Sequence, residues 1–186
     1  MAFQRFLRLG ALSLSLLAVA AFADDKATKQ AEVMKSTQAS MERFYKAKPE
    51  LKAAVGKAPG YGIFTTYGVS FLIGGSGGTG LVHDNKTSKN TYMNVGGASA
   101  GLQLGAAQTE MLIVFNSPAA MTKFIDSGWE AAGAATASVG ASGSRAGGGR
   151  GETSMEGAET YTLTKNGLEV GLAAGGSKFW KDKDLN

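Results

Sequence analysis

The chain has 186 residues, with 19 Lys and Arg against 15 Asp and Glu, a single His and no Cys. That composition excludes disulfides, thiol chemistry and cysteine metal sites, and one histidine excludes an ordinary His-rich metal centre. A formal net charge of +4 is weak evidence for any anionic partner.

The first 23 residues read as an export signal. Arg5 and Arg8 give a positive start, Leu9 to Phe22 is uncharged and mostly Leu, Ala and Val, and Ala21-Phe22-Ala23 puts small residues where a signal peptidase reads them. The apolar run falls short of the ~18–20 residues that span a bilayer. Cleavage after Ala23 is expected to leave one domain, residues 24–186, in the periplasm. Arg5 and Arg8 leave with the signal, so the net charge falls from +4 to +2, which disfavours nucleic acid as a partner.

Lys26 to Lys46 lacks Gly and Pro, and Ala27, Ala31, Met34, Gln38, Met41 and Tyr45 recur every three or four residues, so a helix is predicted, with Phe44 widening its apolar stripe. Lys48-Pro49 interrupts it, and Pro49 opens a short second helix, Glu50 to Gly56, stopped by Ala58-Pro59-Gly60. From Tyr61 the texture turns β-branched and aromatic. Strands are predicted at Tyr61–Tyr67 and Val69–Ile73, with Gly74–Gly78 separating them from Thr79–His83. The turn cluster Asp84–Ser88 then leads to Thr91–Val95, completing a hairpin. Ala98 to Ala106 alternates strictly and reads as one strand whose Gly/Ser face lets another backbone approach closely. Met111–Phe115 is apolar on both faces, as a central strand is.

Ser117-Pro118 is an N-cap followed by Pro, so a helix starts there, carries Met121, Phe124 and Ile125 inward, and ends at Gly128. Ala131–Ser142 is rich in small residues and ambiguous between helix and strand; Thr136, Val139 and its Gly and Ser positions tilt it to strand. Gly143–Met155 reads as a mobile loop. Thr160–Thr164 and Leu168–Leu172 flank Lys165-Asn166-Gly167 as a hairpin with an Asn-Gly turn.

Catalytic signals are thin. His83 stands beside Asp84, a pairing that could orient an imidazole, but on a turn where a solvated residue is expected. Gly97 to Gly101 spells G-x-S-x-G around Ser99, without the strand-to-helix turn of a nucleophile elbow. Gly75 to Gly80 spells G-x-G-x-x-G, without the helix that would meet a phosphate. These glycines read better as bends in a curved sheet. No Asp-rich loop has calcium spacing. No cofactor and no metal are therefore expected.

The basic N-terminal arm is the stronger lead. From Lys26 to Lys57 there are eight basic and three acidic residues. Lys29, Lys35, Arg43 and Lys46 accompany Met34, Met41 and Phe44, a composition suited to a helix lying on an anionic membrane surface. The competing reading is a domain helix whose apolar stripe packs on the sheet while its lysines are merely solvated. Lys178, Trp180 and Lys181 form a second basic-aromatic patch, suited to a membrane interface or to covering core.

Three blocks carry a family resemblance: Gly74–Val82 (GGSGGTGLV), Gly96–Ala106 (GGASAGLQLGA) and Thr109–Phe115 (TEMLIVF), continued in order by Ser127–Trp129, Ala135–Ser142 and Tyr161–Leu172. From Ala31 to Lys181 the chain resembles the SYLF domain, a lipid-binding domain shared by exported bacterial proteins and by eukaryotic phosphoinositide-binding, actin-associated proteins. The resemblance implies an α+β fold, with a strongly curved, mostly antiparallel, barrel-like sheet flanked by a few helices. It also implies lipid binding with N-terminal basic residues contributing. The chain departs from the pattern at Ala100, where many members carry an aromatic residue, and these 186 residues match no actin-binding segment or Src-homology domain. The expectation is a periplasmic, non-enzymatic protein peripheral to a phospholipid surface. The alternatives are a structural or envelope-stress module that binds another envelope protein through the same sheet, and a hydrolase using Ser99 or His83.

Overall fold

The computed structural model describes residues 3–71, 73–100, 105–131, 155–165, 167–170 and 176–186. The chain runs α1 (Phe3–Ala47), α2 (Leu51–Lys57), β1 (Gly60–Phe71), β2 (Ile73–Asp84), β3 (Asn90–Ala100), β4 (Gly105–Phe115), α3 (Pro118–Ser127), β5 (Trp129–Ala131), β6 (Ala158–Thr164), β7 (Gly167–Val170) and β8 (Gly176–Lys181). The helix predicted over 26–46 is thus the C-terminal half of a longer one. All the strands join one antiparallel sheet in the order β5-β8-β3-β2-β1-β4-β6-β7. The α+β class is as expected; the sheet ends at β5 and β7 and is not a closed barrel.

Three strand boundaries differ from the sequence reading. Tyr61–Tyr67 and Val69–Ile73 are not two strands: β1 runs unbroken from Gly60 to Phe71 and stays paired through Gly68, and Ile73 opens β2. Gly74–Gly78 does not separate strands: it lies inside β2 and is paired on both sides, Gly77 facing Tyr67 of β1 and Gly96 of β3. Ala98–Ala106 is not one strand either. β3 ends at Ala100, β4 begins at Gly105, and the two lie on opposite sides of the β1–β2 pair. The alternation that suggested one strand belongs to the ends of two. The predicted segments Ala131–Ser142 and Gly143–Met155 fall largely outside the described residues.

The central strands carry core on both faces, because successive side chains point to opposite sides. Phe64, Val82, Met93, Met111, Ile113 and Phe115 form one cluster with Met121 and Phe124 of α3 and Phe179 of β8. Ile63, Leu81, Tyr92, Leu112 and Val114 form the other with Val33, Met41 and Phe44 of α1 and Leu51 and Val55 of α2. Met111–Phe115 therefore divides its five apolar side chains between two cores, as its unbroken apolarity required. On the α3 side the rings of Phe64 and Phe179 meet edge-on with centroids 4.9 Å apart, and Phe124 lies 5.4 Å from Phe179. α3 is held as the sequence indicated: the Ser117 hydroxyl accepts a hydrogen bond from the Ala120 N–H, and Gly128 leaves the helix at φ 66°.

The bend of the sheet is written into β2. A Cβ placed on Gly78 would stand 2.0 Å from the Thr65 carbonyl oxygen, and one on Gly80 would stand 2.1 Å from that of Ile63. The backbones of β1 and β2 fold towards each other on this face, and only a hydrogen fits between them. Gly77, on the opposite face, has nothing within 4 Å of such a Cβ. Gly80→Ala should therefore lower stability by about 2–3 kcal/mol, the cost of overpacking against backbone. Gly77→Ala should stay within about 0.5 kcal/mol of the parent. Urea denaturation of the two variants checks this, and equal losses would contradict the account of the bend.

Candidate functional site

α1 crosses the face of the sheet opposite α3, and its contact with that face is partly polar. Ser40 and Thr65 share a hydroxyl–hydroxyl bond of 3.0 Å, and the Thr37 hydroxyl donates back to the Val33 carbonyl at 2.9 Å. One row of outward positions reads Asn94, Thr79, Thr65, Glu110 and Leu163 from β3 to β6. Glu110 is buried there, its side chain 5% exposed, and a carboxylate so far from water needs a cation. Arg43 supplies it. Its Nε donates to Glu110 Oε1 at 2.8 Å and Oε2 at 2.9 Å, and its Nη2 also bonds Oε1. Gln108 donates to the same Oε1 at 2.8 Å, and Arg43 Nη2 donates to Ser40 at 3.2 Å. The hydrogen bond to Glu110 raises the pKa of the guanidinium above its usual value.

The residues proposed for lipid separate into three groups. Met41 and Phe44 are buried in the core with Leu51 and Ile63, the domain-helix arrangement. Arg43 is the clamp on Glu110. Lys29, Lys35, Lys46, Lys178 and Lys181 are exposed, as are Met34 at 47% and Trp180 at 42%. Lys29 pairs with Asp25 at 2.7 Å and faces Glu32, Asp182 and Asp184 around a cavity of about 430 Å³, so its surroundings are acidic. Trp180 lies over Gly96, where an added Cβ would come within 3.2 Å of its ring.

Sequence reasoning missed a groove of about 810 Å³ at the end of α1. Arg43, Lys46 and Ala47 line it with Gln108 and Glu110 of β4 and Leu163, Thr164 and Lys165 of the β6–β7 hairpin. Lys165 had no signal beyond its place in a turn; tertiary pairing alone sets it beside Lys46. The hairpin has two residues between its paired positions, since Thr164 already faces Gly167.

Among the described residues, His83, Asp84 and the two glycine-rich motifs are placed by the sheet and its turns. His83 Nδ1 lies 2.7 Å from the Asn90 side-chain oxygen, and its ring packs 5.3 Å from that of Tyr61. Asp84 instead accepts the backbone N–H groups of Lys86 and Thr87, which lower its pKa. Ser99 sits within β3 opposite Gly74, and Gly75–Gly80 lies within β2. Among the described residues no group of His, Cys, Asp and Glu could hold a metal ion, and no helix is long and apolar enough to cross a membrane.

Fold and site define an α+β domain in which one glycine-bent antiparallel sheet carries a clamped helix on one face and a cationic groove beside it. The Ysc84 family, described as Las17-binding protein actin regulator, matches residues 96–186. Over 169 residues the chain is 30% identical to the Beta cell expansion factor A of Aeromonas veronii, which covers 86% of this chain and 60% of that protein. This chain carries a Ysc84, or SYLF, domain match over residues 96–186. It spans about 60% of the length of the curated relative it matches.

Two measurements check the electrostatics. Arg43→Ala strands the Glu110 carboxylate and should cost about 1–3 kcal/mol in urea unfolding, whereas Lys35→Ala should be neutral; equal effects would show that Arg43 is only solvated. Tyr161 is buried and donates to Glu159 at 2.7 Å, and burial first, then that bond, pushes its pKa up to about 12. The unfolded chain loses this proton near pH 10, so the contribution is intact below pH 10 and disappears between about pH 10 and 12 as pH rises. Tyr161→Phe should flatten that decline in an unfolding series. A decline of unchanged steepness would assign it to other groups.

Proposed function

We propose that this chain is exported by removal of residues 1–23 and works in the periplasm as a non-catalytic protein that binds phospholipid peripherally. The observation that carries the reading is the pairing of exposed apolar side chains with exposed cations. Met34 and Trp180 are two of the three large hydrophobic side chains left exposed among the described residues, the third being Tyr67, and each is followed in the sequence by an exposed lysine, Lys35 or Lys181. Such side chains suit the interface, where the aromatic or thioether body sits among headgroups and the ammonium meets phosphate. The charged start and short apolar run of residues 1–23 support export. A second reading, a protein partner held by the same sheet, is favoured by the description of the family as Las17-binding.

Co-sedimentation with neutral and anionic liposomes tests the first reading. Binding to anionic vesicles is expected, weakening as salt screens the surface. The triple variant Lys35→Gln, Lys46→Gln, Lys181→Gln should bind about a hundredfold more weakly, at roughly 1 kcal/mol per lysine near the surface. No binding to either liposome would sink the lipid reading and leave the protein-partner one.

A further inference from the structure

We infer that the cavity between α1 and the end of the sheet where β2 turns into β3 is a binding site for a soft monovalent metal ion, copper(I). Its donors are the thioethers of Met34 and Met41 and the imidazole of His83. The site goes beyond the phospholipid reading and does not rest on it.

The cavity measures about 280 Å³. Met34, Thr37, Gln38 and Met41 form its helix wall, at the spacing of one helix face. His83 and Asn90, paired positions of β2 and β3, belong to its sheet wall. Met34 and Met41 stand two turns apart, roughly 10 Å along the axis. A methionine side chain is unbranched with three rotatable bonds, so two of them can close on one ion from either side. Met34 is 47% exposed and Met41 only 9%, which puts one thioether at the mouth and the other at the base. The four other methionines among the described residues are buried in the core under α3, away from this cavity.

His83 is prepared for a metal by its neighbour. Its Nδ1 lies 2.7 Å from the Asn90 side-chain oxygen, which can only accept, so Nδ1 carries the hydrogen and Nε2 of the neutral ring keeps its lone pair. Histidine ligands are held in this way in metal sites: the second ring nitrogen donates to an oxygen that fixes the tautomer and the ring orientation. The donor set then selects the ion. Thioethers are soft and favour copper(I), and imidazole accepts the same metal. Among the described residues no carboxylate lines the cavity, so nothing there offsets the double charge of zinc or calcium. Taking an ion out of water costs more the higher its charge, so a neutral, partly enclosed site favours a single charge.

Anaerobic titration of the purified chain with copper(I), held reduced by ascorbate and competed by bicinchoninate, tests the site. One equivalent should pass from the probe to the protein. The double variant Met34→Leu, Met41→Leu should bind more than about a hundredfold more weakly, and so should His83→Gln, since loss of an outer partner alone costs ~10–100-fold. Leu for Met nearly conserves volume, so the thermal unfolding midpoint should hold. His83 is only half-buried, so its variant carries the test even where the methionine pair proves structural. Asn90→Ala should weaken binding about tenfold, and Asn90→Asp, which keeps an acceptor, should restore the parent's affinity. Silver(I) should compete and should move two of the seven methionine methyl resonances, whereas zinc(II) at the same concentration should leave copper(I) in place. Absence of uptake, or uptake that survives His83→Gln, overturns the site. Displacement by zinc(II) overturns the assignment to a soft ion. His83 has no part in the phospholipid reading, so failure of liposome binding would leave this result standing.

Discussion

At Gly78 and Gly80 the backbones of two neighbouring strands approach so closely that a methyl group would overlap a carbonyl oxygen. The rest of the molecule depends on that contact. It lets β1 and β2 fold over on the face where Phe64, Phe124 and Phe179 gather, and this curvature lets one short helix, α3, cover part of that core. The opposite face must accept a long helix, and it does so with small and hydroxylated residues, Thr65 and Thr79 among them, along the line of α1. A sheet with larger side chains at the inner positions could not bend in this way without breaking its ladder.

Along α1, residues of one chemical type are put to different uses. Arg43 is drawn down to a buried carboxylate and fixes the rotation of the helix about its axis. With that rotation set, Met41 and Phe44 point into the core, Met34 and Lys35 point outward, and Lys46 stands at the rim of the groove. Lys29 faces the acidic C-terminal tail instead. The basic character of the N-terminal arm is thus distributed between a structural ion pair at Arg43, a neutralised patch at Lys29 and exposed cations such as Lys35 and Lys46.

Some of this was legible in the sequence. Met111–Phe115 announced a strand covered on both sides because a half-exposed strand would alternate. Ser117-Pro118 and Gly128 bounded α3 because caps are local chemistry. The glycines of β2 were legible as bends and misleading as boundaries, since a residue without a side chain signals close approach and strand end alike. The alternation from Ala98 to Ala106 ran through a change of direction, because period-two patterning carries no record of which partner a strand has. The Arg43–Glu110 pair and the groove completed by Lys165 were not legible at all, since each joins residues whose proximity comes only from sheet order. The resemblance at Gly74–Val82 and Gly96–Ala106 pointed to the family without placing any of these contacts.

The position of β8 governs when this fold can form. It is last in sequence, yet it lies between β5 and β3, and β5 has no other partner among the described residues. The residues after it close the structure: Asn186 exchanges hydrogen bonds with both backbone groups of Tyr92, and the Leu185 carbonyl accepts from Gln30 on α1. Pairings between distant parts of a chain form slowly, because loop closure must precede the contacts that reward it. The sheet can therefore be completed only after β8 has been made, and until then the β3 edge lacks the strand that joins it to β5.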